Sequence, residues 1–266
     1  MSYTFDSSGH LLAGHLSIPN RIGVSGTGGL ILCHGFPTAS SKEIAADRSY
    51  YDFADLVSKA LGWIVLAFTY RGCGASEGQF SLQGWLDDTV NAAKDLNRNS
   101  NVNSIWLAGF GTGGALAITA ASHCKEIDGV AAISAPSDFQ DWGQDPGQLL
   151  EYSRAVGAIS DSEFPKDQNS WAAEIESIDP VKAAEGMSEK PLLVVHGASD
   201  QVVPSFDARV IADAHGGADL RIIDGGTHRL RFDPRATAVI IGWLDRAHRL
   251  QTKNNTPSSH SIPKGK

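Results

Sequence analysis

The chain reads as an α/β protein with a mostly parallel central sheet and helices on both faces. Short apolar runs alternate with longer stretches whose apolar residues recur at helical spacing, a pattern that lays parallel strands beside crossover helices. Glycine-bearing turns follow the carboxyl ends of those runs, where α/β sheets place their ligands. The 266 residues, 42% hydrophobic and 20% charged, suffice for one sizeable core. One domain is expected over residues 1–250, with a disordered tail at 251–266, because QTKNNTPSSHSIPKGK shows no apolar periodicity.

Residues 3–5 and 10–18 alternate polar and apolar side chains around a Ser-Ser-Gly turn, predicting an antiparallel pair at the sheet edge. Residues 23–29 are glycine-rich. They precede a strand instead of joining one to a helix, so they lack the helix N-terminus that a dinucleotide phosphate needs. Residues 30–33 form a short buried strand leading into His34-Gly35-Phe36-Pro37. Tyr50, Phe53, Ala54, Val57, Ala60 and Leu61 then share a helical face that Gly62 ends.

The second central strand, residues 63–68, runs into Arg71-Gly72-Cys73-Gly74-Ala75-Ser76-Glu77-Gly78, where Arg71 and Glu77 are expected to fix the loop. Leu82, Trp85, Leu86, Val90, Ala93 and Leu96 mark another helix. Residues 105–117, IWLAGFGTGGALA, pass from apolar run through glycines into an alanine-rich segment: strand, tight turn, helix. A strand follows at 129–134, and then residues 135–190 break the rhythm. This insertion carries Phe139, Trp142, Leu149, Tyr152, Phe164 and Trp171 at irregular spacing. At this length it predicts a cap of two or three short helices, about 136–190, giving a pocket aromatic walls, or a second packing layer without a ligand. Strands at 191–196 and 220–223, a helix at 205–214 and a closing helix from Ala236 to Ala247 complete the pattern.

A net charge of -8 and a pI near 5.5 argue against nucleic acid or an anionic membrane surface as partner. A small-molecule ligand suits that surface, and the oligomeric state stays open. Residues 1–16 hold no basic stretch leading into an apolar one, and no run approaches the roughly 18 apolar residues of a membrane span. A cytoplasmic protein is expected. Cys33, Cys73 and Cys124 form no Cys-x-x-Cys pair, as expected of reduced, buried thiols. The nine histidines show no metal-ligand spacing, so neither metal nor cofactor is expected.

With these pieces placed, the chain resembles the α/β-hydrolase superfamily, especially its small esterase and acyl-peptidase-like members. The His34-Gly35-Phe36-Pro37 turn looks like the family's oxyanion loop, residues 71–78 like its RGxGxSxG turn, and Gly109-Phe110-Gly111-Thr112-Gly113 like its nucleophile elbow. Gly197-Ala198-Ser199-Asp200 resembles the acid loop, and Gly226-Thr227-His228 the histidine loop. The resemblance implies that Asp200 orients and stabilises the imidazole of His228, and that the backbone N–H groups of Phe36 and Thr112 form an oxyanion hole. Alone, an aspartate before a helix is more often a cap and a single histidine merely solvated; the order and strand-end positions favour the functional reading.

The departure is Gly111, which stands where the family carries its nucleophile. Losing a triad serine costs about a millionfold in turnover, roughly 8 kcal/mol, so ordinary acyl-enzyme hydrolysis should be lost or severely impaired. Thr112, one residue on, points elsewhere along the chain. The elbow holds its central residue in a strained conformation, so glycine relieves strain there. Three readings stay open: a pocket that binds a small ligand or ester-like substrate without cleaving it; an enzyme using His228 and Asp200 as a general base on water or substrate, as a hydrolase, lyase or cofactor-free oxygenase; or an engineered Ser-to-Gly inactive variant of an esterase or peptidase.

Overall fold

A computed structural model describes residues 1–21, 27–38 and 49–255, with side chains through Lys253. Its eight-stranded sheet runs in the order β1 (Ser2–Ser7), β2 (His10–Ser17), β4 (Ile64–Phe68), β3 (Gly28–Cys33), β5 (Ser104–Phe110), β6 (Gly129–Ile133), β7 (Leu192–Gly197), β8 (Asp219–Ile223). The β1–β2 hairpin is antiparallel and lies at the edge as expected, joined to the sheet by an antiparallel pairing of β2 with β4. Every pair from β4 to β8 is parallel.

Alternation along the central strands divides the apolar side chains between two helix layers. Leu30 and Leu32 of β3 pack with Phe53, Ala54 and Val57 of α1 (Ser49–Leu61) and with Ala236, Ile240, Trp243 and Leu244 of α9 (Pro234–Asn255). Ile31 and Cys33 face the other layer, built from α2 (Leu82–Asn99), α3 (Thr112–His123) and α8 (Ser205–His215). The alanines of α3 let it lie close on the sheet; Ala115, Leu116, Ala117 and Ile118 are all fully buried.

The insertion folds as four helices: α4 (Gln140–Gln144), α5 (Pro146–Ala155), α6 (Gln168–Ser177) and α7 (Pro180–Gly186). Its last helix belongs to the sheet's flank, because α7 packs between α3 and α8. Three of the four are capped by aspartates, Asp145 on α5, Asp167 on α6 and Asp179 on α7, whose carboxylates accept from the first-turn amides; α4 opens at Phe139, which is buried in the core and makes no side-chain cap. Phe139, Leu149 and Trp171 are buried, Trp142 and Phe164 half-buried, and Tyr152 is exposed. Much of the expected aromatic wall is therefore packing.

The closing helix runs to Asn255, five residues past the expected boundary at 250. Gln251 donates to Asp128 and Thr252 to the His248 carbonyl. Periodicity cannot show such tertiary tethers. The rest of the expected tail, residues 256–266, lies outside the described residues, as do 23–26 of the glycine-rich stretch. Among the described residues no helix is long and apolar enough to cross a membrane. A cavity of about 490 Å³ opens beside α4 and α6, lined by Phe139, Gln140, Glu176 and Asp179 among others and by none of the expected site residues.

Candidate active site

The sharp turn between β5 and α3 is a consequence of its glycines. A Cβ on Gly109 would lie 2.2 Å from the Gly113 carbonyl oxygen, and one on Gly113 would lie 2.4 Å from that of His34. No side chain survives such contacts with backbone, so strand and helix cross at a distance only glycine permits. Gly111 is different. Its φ of 54° and ψ of -127° favour glycine on conformational grounds, yet a Cβ there would meet nothing closer than His228 Nε2 at 3.5 Å. The Gly111 N–H is anchored on the Ile133 carbonyl at 2.8 Å, so β6 fixes the turn from behind.

Two further loops meet this turn. A Cβ on Gly197 would stand 2.3 Å from the Gly226 carbonyl oxygen. Ser199 N–H donates to the same oxygen at 2.8 Å, and Ala198 N–H to Ile223 at 2.9 Å. The loops after β7 and β8 are thus pressed together, and that contact brings Asp200 to His228. His228 Nδ1 lies 2.9 Å from Asp200 Oδ2.

The carboxylate of Asp200 is also an anchored group. Its Oδ1 accepts from the N–H groups of Val202 at 2.9 Å and Val203 at 3.0 Å. Burial opposes its ionisation, but these two amides together with His228 outweigh burial and hold the carboxyl below its usual range. An ionised carboxylate only accepts, so Nδ1 of His228 donates to it, and Nε2 is the ring nitrogen that faces Gly111. The His228 side chain keeps 31% of its surface exposed, leaving this nitrogen open to a ligand. Asp200 and His228 therefore come together as the resemblance implied, and Gly111 stands opposite.

Sequence reasoning passed over His196. Fully buried at the end of β7, it sets Nε2 3.0 Å from the Val203 carbonyl and 3.3 Å from Asp200 Oδ2. Both neighbours are acceptors, so Nε2 carries the hydrogen, and this second imidazole braces the same carboxylate oxygen that meets His228. The signal was a histidine one residue before Gly197, four before the aspartate. His34, also buried, accepts the Tyr70 N–H on Nε2 at 3.1 Å, and its Nδ1 lies 2.7 Å from the Gly35 carbonyl. That pairing ties the β3 loop to the β4 loop.

Phe36 holds the loop after β3 in place through its ring. The ring meets Phe80 at 4.8 Å, Trp142 at 5.0 Å, Trp85 at 5.6 Å and Tyr152 at 5.9 Å, an arrangement worth more than its area alone. A Cβ on Gly35 would stand 3.1 Å from the Phe110 carbonyl oxygen, so this loop rides directly on the elbow. Among the described residues neither the Phe36 nor the Thr112 N–H reaches an acceptor. Arg71 and Glu77 fix their loop, as expected: Arg71 pairs with buried Asp88 at 2.7 Å, and Glu77 accepts the Leu11 N–H at 2.8 Å. Burial pushes the thiols of Cys33 and Cys73 up to about 12 and raises that of Cys124 as well, which disfavours the reactive thiolate in all three.

Known proteins resemble this chain in sequence and in fold. The chain is 29% identical over 174 residues to the uncharacterized protein YfhR of Escherichia coli K12, covering 64% of this chain and 55% of that one. It is 30% identical over 151 residues to YfhR of Salmonella typhimurium, covering 53% and 46%. The matched region spans about half the length of these curated relatives. Among solved structures, Est1E from Butyrivibrio proteoclasticus superposes with a TM-score of 0.70 at 19% identity, covering 95% of this chain and 99% of that one. Est1E with ferulic acid bound gives 0.69 at 21% identity, with the same coverage. The Pyrococcus furiosus esterase Pf2001 gives 0.65 at 19%, covering 93% and 92%. At these identities the structures speak for the fold. The model of the alpha/beta hydrolase family matches residues 30–240, from β3 into α9 and through every loop of the site, and the chain belongs to that family.

Proposed function

We propose that this protein binds a small carbonyl-bearing or ester-like ligand in its hydrolase pocket and has lost the acyl-enzyme route. The carrying observation is the 3.5 Å between the Cβ position of Gly111 and His228 Nε2: base and nucleophile site face each other, and only the attacking side chain is lacking. In this reading the N–H groups of Phe36 and Thr112 receive the ligand's carbonyl oxygen, helped by the positive end of α3. Phe36, Trp142 and Tyr152 stand beside it as aromatic surface, which suits an aryl group such as the one bound by Est1E. The three free, buried thiols suit a cytoplasmic setting.

A second reading is favoured by the assembled pair itself. An ionised Asp200 on Nδ1 leaves Nε2 able to take a proton from water or from an acidic C–H, chemistry that needs no side chain at residue 111. One titration separates the two. Phenyl acetate added to the protein is expected to change tryptophan fluorescence saturably. Phenol release at the solution rate supports binding alone; release that disappears in His228→Ala supports the second reading. Absence of saturation contradicts both.

A further inference from the structure

We infer a second binding site, for a small organic cation with an apolar body such as an arylalkyl amine, in the cavity of about 490 Å³ beside α4 and α6. Cavities that hold small ligands run from about 300 to 1,000 Å³ and combine apolar surface with a few placed polar groups. This one is built that way. Phe139, Ile175 and Ile178, all buried, form its apolar side, with Val181 of α7 and Val210 of α8 half-buried beside them. Asp138, Glu176 and Asp179 supply an exposed polar side. The cavity lies against α4, whose Trp142 meets Phe36 at 5.0 Å, but it shares no residue with the Asp200 and His228 pair. This second site stands whether or not the pocket around Gly111 is active.

Charge decides the chemistry of the ligand. Among the described residues, three carboxylates and no Lys, Arg or His line the cavity. Lys182 and Arg209, next in the chain to Val181 and Val210, are exposed and lie outside the lining. The carboxylates favour a cation and repel an anion. Asp138 Oδ1 accepts from the Gln140 N–H and Asp179 Oδ1 from the Lys182 N–H, both at 2.9 Å. Those bonds hold two of the three carboxylates in place, so a ligand finds them already ordered. A bare metal ion is the poorer match, because among the described residues no three His, Cys, Asp or Glu side chains are grouped to hold one. An arylalkyl amine uses both sides: its ammonium meets the carboxylates while its ring lies on Phe139 and the isoleucines.

Phenethylamine, 2-phenylethanol and 3-phenylpropionate, alike in ring and reach but different in charge, test this by calorimetric titration of the unaltered chain. Phenethylamine is expected to bind saturably, about tenfold tighter than the alcohol, with an affinity that falls as sodium chloride rises; 3-phenylpropionate should bind weakest. Glu176→Gln, at an exposed position, should weaken phenethylamine binding about threefold. Val210→Phe should abolish it by filling the cavity while every carboxylate stays, and His228→Ala should leave it unchanged. Phenethylamine affinity that only matches the alcohol's, or that survives in a folded Val210→Phe, overturns the inference. If Val210→Phe does not fold, unchanged affinity in Glu176→Gln overturns it instead. Affinity lost in His228→Ala also overturns it, because that result moves the amine to the pocket around Gly111.

Discussion

Gly111→Ser is expected to hydrolyse p-nitrophenyl acetate about 1,000-fold or more faster than the parent chain, a gain of about 4 kcal/mol in transition-state stabilisation. The serine Cβ would stand 3.5 Å from His228 Nε2, which brings its hydroxyl within hydrogen-bond reach of that nitrogen without moving a loop. Its partner Asp200 is held ionised with the help of two backbone amides. The gain falls short of the millionfold cost of removing a native serine, because acetate makes few of the contacts a true acyl group would make. Fold stability moves the other way. At φ 54° and ψ -127° a non-glycine residue costs about 1–3 kcal/mol, and each kcal/mol lowers the melting temperature of a chain this size by roughly 2–4 °C. Steady-state kinetics with a thermal melt check both parts; an active variant that melts as high as the parent would contradict the strain argument.

Adding His228→Ala to that variant is expected to erase the gain, returning the rate to within about tenfold of the parent. A serine hydroxyl without a base remains a weak nucleophile, and the residual catalysis comes from amide donors and binding alone. The fold should tolerate the loss. His228 is partly exposed, and Asp200 keeps its hydrogen bonds to Val202 and Val203 and its contact with His196. Equal melting curves with and without His228 would assign the lost rate to proton transfer. A double variant that keeps most of the gained activity would show that another group acts as base.

The architecture was legible because it repeats: strand, glycine turn and amphipathic helix each leave a pattern in sequence. The meeting of Asp200 with His228 was legible only through motif order, since 28 residues part them and nothing local says that Gly197 packs on Gly226. The insertion was harder. Its aromatics have no single period because they serve two purposes, Trp171 and Phe139 filling core while Trp142 and Tyr152 pack around Phe36. The membership of α7 in the sheet's flank follows from contacts with α3 and α8, which a short seven-residue helix does not announce. His196 was hidden inside an apolar strand, and its role appears only when Asp200 folds back along β7. The three elbow glycines look alike in sequence, but sterics separate them: Gly109 and Gly113 are required by backbone contact, whereas Gly111 is held there by its backbone angles alone.

We propose that acyl-transfer machinery lacking only its attacking atom surrounds residue 111. Treating Gly111→Ser with a fluorophosphonate ester and mapping the adduct by mass spectrometry tests this most directly. One phosphonyl group per chain on residue 111, with none on the parent protein, is the result this account predicts. A folded variant that stays unlabelled at residue 111 would contradict it.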